Sequence, residues 1–242
     1  DESGIDSILV GDSLGNVILG LGDTVSVTME DMIHHGAAVA RGAKNALVVV
    51  DMPFMSYQSS VYDAVVNAGR LMKEARANAV KLEGGVEVAD RIRAIVDCQI
   101  PVCAHIGLTP QGINALGGFK VQGKTADSAR KLLEDAHAVE EAGAFAVVLE
   151  AIPAELAARV SEELTIPTIG IGAGAGCDGQ VLVNQDMLGM FHDFTPKFVR
   201  RFAEVGDVML EAYRAYDAAV KDGTFPAAEH TYAAPAGVLE NL

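Results

Sequence analysis

The sequence predicts an α/β fold in which parallel strands alternate with helices, most simply a (β/α)₈ TIM barrel. Short runs rich in β-branched residues alternate with longer amphipathic segments along the chain. Those short runs are apolar at successive positions, as is typical of strands buried on both faces. The 242 residues, 50% of them hydrophobic, are enough for one large barrel.

Seven strands and six helices follow from these patterns. The predicted strands are 7–12, 46–51, 79–83, 101–106, 145–150, 167–172 and 180–184. The predicted helices are 28–41, 60–76, 86–97, 126–142, 153–164 and 196–222. In the last helix, apolar side chains recur at i, i+3 and i+4 spacing from Phe198 to Tyr216, and Gly223 is the expected stop.

One more strand is expected before residue 1. The chain opens with "DESG", which resembles the end of a helix, and one preceding βα unit would make eight. A doubly wound open sheet is the alternative topology. We predict a single domain over 1–242, with barrel units over about 1–195, the long helix, and a tail over 223–242. The long, glycine-containing loop 107–125 is a candidate lid.

Charge and composition exclude several classes of function. Thirty-three acidic and eighteen basic residues give a net charge of −15, which disfavours nucleic acid and anionic membranes as partners. No apolar run approaches the roughly 18 residues of a membrane span. Cys98, Cys103 and Cys177 lack the spacing of a disulfide framework or a zinc site. They are expected to be small buried residues of a protein in the reducing cytoplasm.

Polar side chains stand at the carboxyl ends of five predicted strands. Because a parallel barrel places its active site at this rim, we expect these side chains to converge. Clustered carboxylates repel one another, so a cation is expected among them. The residues are Asp12 and Ser13, Asp51, Lys81 and Glu83, His105, and Glu150.

Three of these residues predict a magnesium site. Asp12, Asp51 and Glu83 offer only hard oxygen ligands, which favour Mg²⁺ over Zn²⁺. Such an ion can chelate a 2-oxo acid and stabilise the enolate that forms when a neighbouring C–H loses its proton. Lys81 is a candidate partner for the substrate carboxylate or the enolate oxygen.

Two further residues are candidates for proton transfer. Glu150, at the end of a strongly apolar strand, is a candidate general base. His105 could donate a hydrogen bond or relay a proton, and a histidine with a purely structural role at the top of the barrel is an equal alternative.

Eight segments closely resemble the ketopantoate hydroxymethyltransferase (3-methyl-2-oxobutanoate hydroxymethyltransferase) family. The resemblance extends in order, at matching spacing, from the first residues to about position 232. Members of that family also have a preceding strand that ends near a Tyr-Asp pair, which this chain does not contain. The segments are "ILVGDSLG", "VVVDMPFMSY", "NAVKLEGG", "VCAHIGLTPQ", "GGFKVQG", "VLEAIP", "IPTIGIGAG" and "DGQVLV".

The resemblance implies a specific reaction. The family consists of Mg²⁺-dependent (β/α)₈ barrels of the cytoplasm that start pantothenate synthesis. They transfer a hydroxymethyl group from 5,10-methylenetetrahydrofolate and water to 3-methyl-2-oxobutanoate, giving 2-dehydropantoate and tetrahydrofolate. Bacterial relatives commonly form decamers, so the resemblance also implies a homo-oligomer.

The resemblance also implies roles for individual residues. Glu150 matches the proton acceptor of the family. Two further sets follow: Asp12, Asp51 and Glu83 on the metal positions, and Asp12, Ser13, Asp51 and Lys81 on the positions that hold the oxo acid.

Two other functions fit part of the pattern. One is a Mg²⁺-dependent lyase of the isocitrate lyase and phosphoenolpyruvate mutase kind, although the Lys-Lys-Cys-Gly-His segment of those lyases is not found in this sequence. The other is an inactive barrel that binds an oxo acid. The presence of Lys81 and Glu150 together with the three acidic metal candidates favours an active transferase.

Overall fold

The computed structural model describes residues 1–191 and 194–239, and the chain divides into two compact units, Asp1–Leu182 and Val183–Leu242. The first unit contains one parallel sheet of seven strands, and each strand pairs with the next one in the sequence. The strands are β1 Ser7–Val10, β2 Leu47–Asp51, β3 Ala79–Glu83, β4 Val102–Gly107, β5 Ala146–Glu150, β6 Thr168–Ile171 and β7 Gly179–Gln180.

The sequential strand order confirms the predicted barrel-like fold. A doubly wound sheet reverses its strand order at a switch point, whereas here the order runs from β1 to β7 without reversal. Helices connect successive strands from β1 to β6, and a loop without a helix connects β6 to β7. The helices of the chain are α1 Leu14–Val17, α2 Met29–Gly42, α3 Val61–Lys73, α4 Ala89–Asp97, α5 Ile113–Leu116, α6 Ala126–Glu141, α7 Ala154–Glu163, α8 Asn184–Met187 and α9 Val205–Asp222.

Side-chain caps fix the starts of several helices near their predicted positions. The hydroxyl of Thr28 accepts the backbone N–H of Asp31 at 3.1 Å, and the Asp31 carboxylate accepts the backbone N–H of Thr28 at 3.0 Å. This reciprocal pair satisfies two N–H groups that have no partner within the helix. Ser60 caps α3 and Thr125 caps α6 in the same positions relative to their helices.

The two faces of the sheet form two separate apolar layers. One layer joins the strands to the buried faces of the helices, with Val50, Leu82, Ile92 and Leu149 among its residues. The other layer lies on the opposite face of the strands and consists of Val49, Ala79, Cys103, Ala146, Val148 and Ile171. Since side chains alternate along a strand, the next positions on this interior face are the polar residues at the strand ends.

Some predicted boundaries and exposures were wrong. Strand β7 is limited to Gly179–Gln180 instead of 180–184, and the last helix begins at Val205 instead of 196. Of the three cysteines predicted to be buried, Cys98 is exposed. The loop 107–125 contains a 3₁₀ turn and the short helix α5.

Backbone hydrogen bonds within the second unit accompany the late start of α9. The backbone N–H of Phe202 bonds to the carbonyl of Met187 at 2.8 Å, and that of Val205 bonds to Leu188 at 2.8 Å. These N–H groups therefore bond to the segment at the end of α8 and not to carbonyls one helical turn earlier. Gly223 follows α9 with φ of 78°, which confirms the predicted stop. The predicted tail contains a 3₁₀ turn at Ala228–His230, and its last three positions lie outside the described residues.

None of the described helices is both long and apolar enough to cross a lipid bilayer.

Truncating a side chain between the helices and the sheet should test the packing. Ile95 of α4 is fully buried, and we expect Ile95→Ala to lower the free energy of unfolding by about 2–5 kcal/mol through lost burial and a residual cavity. Val66→Ala is the control, because Val66 is 42% exposed on α3. Urea unfolding followed by circular dichroism measures both, and equal losses would contradict the packing described here.

Candidate active site

The interior face of the sheet becomes polar at its carboxyl end. Beyond Val49, Ala79, Cys103 and Val148, the same face continues into the polar strand ends. Parallel pairing places Asp51 beside Lys81 and Glu83 beside His105, and it places Glu150 beside Gly107. The side chains predicted from the sequence therefore lie together for two reasons: they stand at the same end of their strands, and the strand register places them beside one another.

Lys81 and the two aspartates form the first half of the site. The Lys81 ammonium lies 2.8 Å from Asp51 Oδ1, and the backbone N–H of Asp12 donates to Asp51 Oδ2 at 3.0 Å. Burial opposes the charge of Lys81, but Asp51, Glu83 and Asp12 outweigh it and raise the lysine pKa. Burial raises the pKa of Asp51 despite its contact with Lys81.

His105 connects two carboxylates in the second half of the site. Its Nδ1 lies 3.4 Å from Glu83 Oε1, and its Nε2 lies 3.2 Å from Glu150 Oε2. Burial and Lys81 oppose the imidazolium, but Glu150 and Glu83 outweigh them and raise the His105 pKa to about 9. A positively charged His105 is therefore held between Glu83 and Glu150 at neutral pH. The ammonium of Lys81 also lies 3.3 Å from His105 Nδ1, so the two halves of the site are adjacent, and the carboxylates of Asp51 and Glu83 contact these two cationic groups.

Backbone geometry holds Glu150 close to β4. A Cβ added to Gly107, whose φ is 93°, would lie 2.4 Å from the carbonyl oxygen of Glu150. The N–H of Leu108 donates to that same oxygen at 2.8 Å. Ala151 follows with a φ of 48°, a left-handed conformation that is unusual for alanine. Sites that hold such conformations often carry function.

Two neutral residues complete the site and were missed by the sequence analysis. Gln111 bonds to Asp12 and Glu83, and Tyr57 bonds to both Gln111 and Glu83. Both side chains are buried. They lie within the segments "VVVDMPFMSY" and "VCAHIGLTPQ", but their charge pattern gave no signal, because neither side chain carries charge. The predicted Ser13 is partly buried beside Gly11, where a Cβ would meet Ser13 Oγ at 3.1 Å and Asp51 Oδ2 at 3.4 Å.

The carboxylates can be judged as metal ligands from their surroundings. Burial, and then the nearby carboxylates of Asp51 and Glu83, raise the pKa of Asp12 to about 7, and Lys81 opposes this shift. Asp12 and Asp51 are in direct contact and offer hard oxygens. Among the described side chains, no three His, Cys, Asp or Glu are placed to hold one ion together. The predicted ligand set of Asp12, Asp51 and Glu83 therefore stays a prediction.

Comparison with known proteins shows the family. The family model described as ketopantoate hydroxymethyltransferase matches residues 1–228. The chain belongs to this family. A relative from Clostridium novyi, named 3-methyl-2-oxobutanoate hydroxymethyltransferase, is 66% identical over 100% of this chain and 88% of the relative. A relative of the same name from Enterococcus faecalis is 66% identical with the same coverage. The resemblance stated from the sequence is confirmed.

Solved structures support the fold alone. A phosphonopyruvate hydrolase superposes with a TM-score of 0.59 at 12% identity, covering 99% of this chain and 83% of that one. A putative phosphonomutase from Burkholderia cenocepacia superposes with a TM-score of 0.56 at 16% identity, covering 91% and 87%. At such identities this chain shares the architecture of these proteins, and their chemistry does not carry over.

Removing the buried lysine should be costly, because it leaves its partner without a counter-charge. We expect Lys81→Met to lower the free energy of unfolding by about 3–5 kcal/mol, and Asp51→Asn in the same chain to restore part of that loss. Lys131→Met, which breaks exposed contacts with Glu87 and Asp135, should cost at most about 1 kcal/mol. Thermal and urea unfolding measure these values. A Lys81→Met chain as stable as the parent would show that the pair is not buried as described.

Proposed function

We propose that this chain transfers a hydroxymethyl group from 5,10-methylenetetrahydrofolate and water to 3-methyl-2-oxobutanoate, giving 2-dehydropantoate and tetrahydrofolate. Its two relatives at 66% identity carry the name of that activity. The observation that carries the proposal is the continuous series of contacts from Asp12 through Asp51, Lys81 and His105 to Glu150. This series of contacts combines a cationic binding group with a candidate base at one rim of the barrel.

The first half of the site would bind the oxo acid. Its substrate carries a carboxylate and a ketone, and Lys81 offers a charged donor for either oxygen. Because Lys81 is buried and already fixed by Asp51, it would bind without losing much side-chain entropy. Asp12 and Ser13 stand beside this pair and complete the proposed binding set.

The second half would remove the proton from C3 of the oxo acid. Glu150 is the proposed base, and its side chain is 15% exposed, so a substrate can reach it. His105 holds the Glu150 carboxylate from the protein side, which fixes its direction. Loss of the C3 proton to Glu150 gives an enolate, whose C3 forms the new carbon–carbon bond to the one-carbon unit. Both C–N bonds of that unit to the folate break, water supplies the new hydroxyl, and the two folate nitrogens take up the proton from C3 and one proton from water.

Mg²⁺ is the proposed metal of this site. Asp12 and Asp51 would hold it, since Mg²⁺ commonly binds one or two protein carboxylates and takes its other ligands from water and substrate. Glu83 lies in the same network but is engaged by His105 and Gln111. When bound, the ion would polarise the ketone of the oxo acid and stabilise negative charge on its oxygen.

The setting of the reaction follows from the resemblance. We propose that the protein works in the cytoplasm as a homo-oligomer, a decamer in the bacterial pattern. Its partners would be small-molecule substrates, because a net charge of −15 disfavours nucleic acid and anionic membranes as partners.

Proton exchange tests the role of the base directly. In D₂O with Mg²⁺ and no folate, the protein should exchange the C3 proton of 3-methyl-2-oxobutanoate, and Glu150→Gln should slow the exchange about 10²- to 10⁴-fold. The control is Glu155→Gln, an exposed glutamate in the first turn of α7. Proton NMR follows the loss of the C3 signal. Exchange at the parental rate in Glu150→Gln would remove this residue from the mechanism.

Removal of divalent ions tests the metal. Treatment with a chelator should abolish exchange, and added Mg²⁺ should restore it. Asp51→Ala should raise both the Mg²⁺ and the oxo-acid concentrations that are required, because the substrate would be held partly through the ion. Titration of exchange rates against both ligands measures this. Full exchange in a metal-free sample would contradict the proposed role of the metal. Formation of 2-dehydropantoate after 5,10-methylenetetrahydrofolate is added would distinguish a transferase from a lyase or an inactive barrel.

A further inference from the structure

Gln111 lies at the centre of the hydrogen-bond network beneath the rim. It belongs to the 3₁₀ turn Pro110–Gly112, at the start of the long loop after β4, and its side chain is only 4% exposed. Its backbone N–H donates to Glu83 Oε2 at 3.0 Å. Its side-chain Nε2 donates to Asp12 Oδ2 at 2.8 Å and to the carbonyl of Met52 at 2.9 Å. One residue thus contacts carboxylates from two strands that are not neighbours.

The orientation of the Gln111 amide is determined by its partners. Nε2 faces two acceptors, while Oε1 accepts the Tyr57 hydroxyl at 2.7 Å and the Gln58 amide at 3.1 Å. An amide turned the other way would place oxygen against oxygen at Asp12 and at Met52. All hydrogen-bonding groups of the side chain are used, so the network has one arrangement.

Tyr57 fixes the other end of this amide. The tyrosine is fully buried, and its hydroxyl accepts the backbone N–H of Glu83 at 3.0 Å while it contacts Gln111 Oε1. The hydroxyl therefore links the end of β3 to the side chain of Gln111. Because burial raises the Tyr57 pKa well above its ordinary value, the hydroxyl keeps its proton and stays a donor.

The carboxylates of Asp12 and Glu83 repel each other when both are ionised. They stand at the ends of β1 and β3, both side chains are buried, and both are acidic. Two donors of Gln111, its backbone N–H and its side-chain Nε2–H, direct partial positive charge at both carboxylates. The backbone and the side chain of a single residue therefore contact both groups at once, while His105 contacts Glu83 from another side.

We propose that Gln111 is a positioning residue for this site. Its side chain holds the Asp12 carboxylate, which with Asp51 would bind a divalent ion and the oxo acid, and its backbone N–H holds Glu83 beside that carboxylate. Tyr57 acts through Gln111. The inference rests on the proposed function, since it names what positions that site. It assigns a role to the neutral segment "LTPQ", which the charged residues of the mechanism leave unexplained.

Three variants test this inference. Gln111→Leu keeps the backbone N–H to Glu83 and removes every side-chain hydrogen bond, and Tyr57→Phe removes one hydroxyl while keeping the ring. Gln122→Leu is the matched control, since this glutamine lies in the same loop and its side-chain amide donates to the carbonyl of Lys120 at 2.9 Å. The full chain is used throughout, with circular dichroism as a check on folding.

The first readout is binding of Mn²⁺, used as a probe and followed by electron paramagnetic resonance of the free ion. The second is the KM for 3-methyl-2-oxobutanoate in the exchange assay. Gln111→Leu should weaken both by about 10- to 100-fold, because it removes a hydrogen bond to a charged group. Tyr57→Phe should weaken Mn²⁺ binding and raise the KM by about 2- to 10-fold. Most of that effect should vanish in the double variant, where Tyr57→Phe is added to Gln111→Leu. Gln122→Leu should match the parent.

Specific results would overturn the inference. If Gln111→Leu folds and binds Mn²⁺ and the oxo acid within about twofold of the parent, Gln111 does not position the site. If Gln111→Leu does not fold, Tyr57→Phe decides, and unchanged Mn²⁺ binding in that variant overturns the proposal. Effects of Tyr57→Phe that multiply fully with those of Gln111→Leu would show that Tyr57 acts independently. A parent that neither binds Mn²⁺ nor exchanges the proton would overturn the proposed function as well.

Discussion

The contact between Lys81 and Asp51 is the interaction on which the site depends. Four carboxylates, from Asp12, Asp51, Glu83 and Glu150, meet at one rim with two cationic groups, Lys81 and His105. A buried ion pair of this kind adds little stability compared with apolar packing, and breaking it leaves a charge without compensation. Stability alone is therefore a weak explanation for this pair, and the family to which the chain belongs is one of enzymes.

The alternation of side chains along the strands explains why the site lies where it does. The interior layer is built from small and medium residues such as Ala79 and Cys103. Two positions further along each strand, the same face reaches the rim, where Lys81 and His105 follow. The apolar layer beneath excludes water from one side, which strengthens every charged contact above it. Fold and site are thus produced by one pattern with a period of two residues.

Much of this arrangement could be predicted from the sequence because it depends on local pattern. The strand ends carry charged residues that are visible in isolation, and Asp51, Lys81 and Glu150 proved to lie in one network. The roles of Gln111 and Tyr57 could not be predicted, because a neutral side chain gains its importance from partners far along the chain. The start of α9 was also missed, since "KFVRRFAE" suits a helix, whereas in the structure the N–H groups of Phe202 and Val205 bond to Met187 and Leu188.

The interior of the barrel contains a thiol that is chemically quiet. Cys103 lies in the apolar layer one strand away from Lys81, and burial raises its pKa to about 12, so it remains protonated at neutral pH. Thiol reagents react with the thiolate, and Cys98, which follows α4 and is exposed, is the accessible alternative. Since parallel strands begin where their preceding helices end, Cys98 stands at the opposite end of β4 from His105. A fluorescent label could be attached there, away from the buried charged groups at the rim.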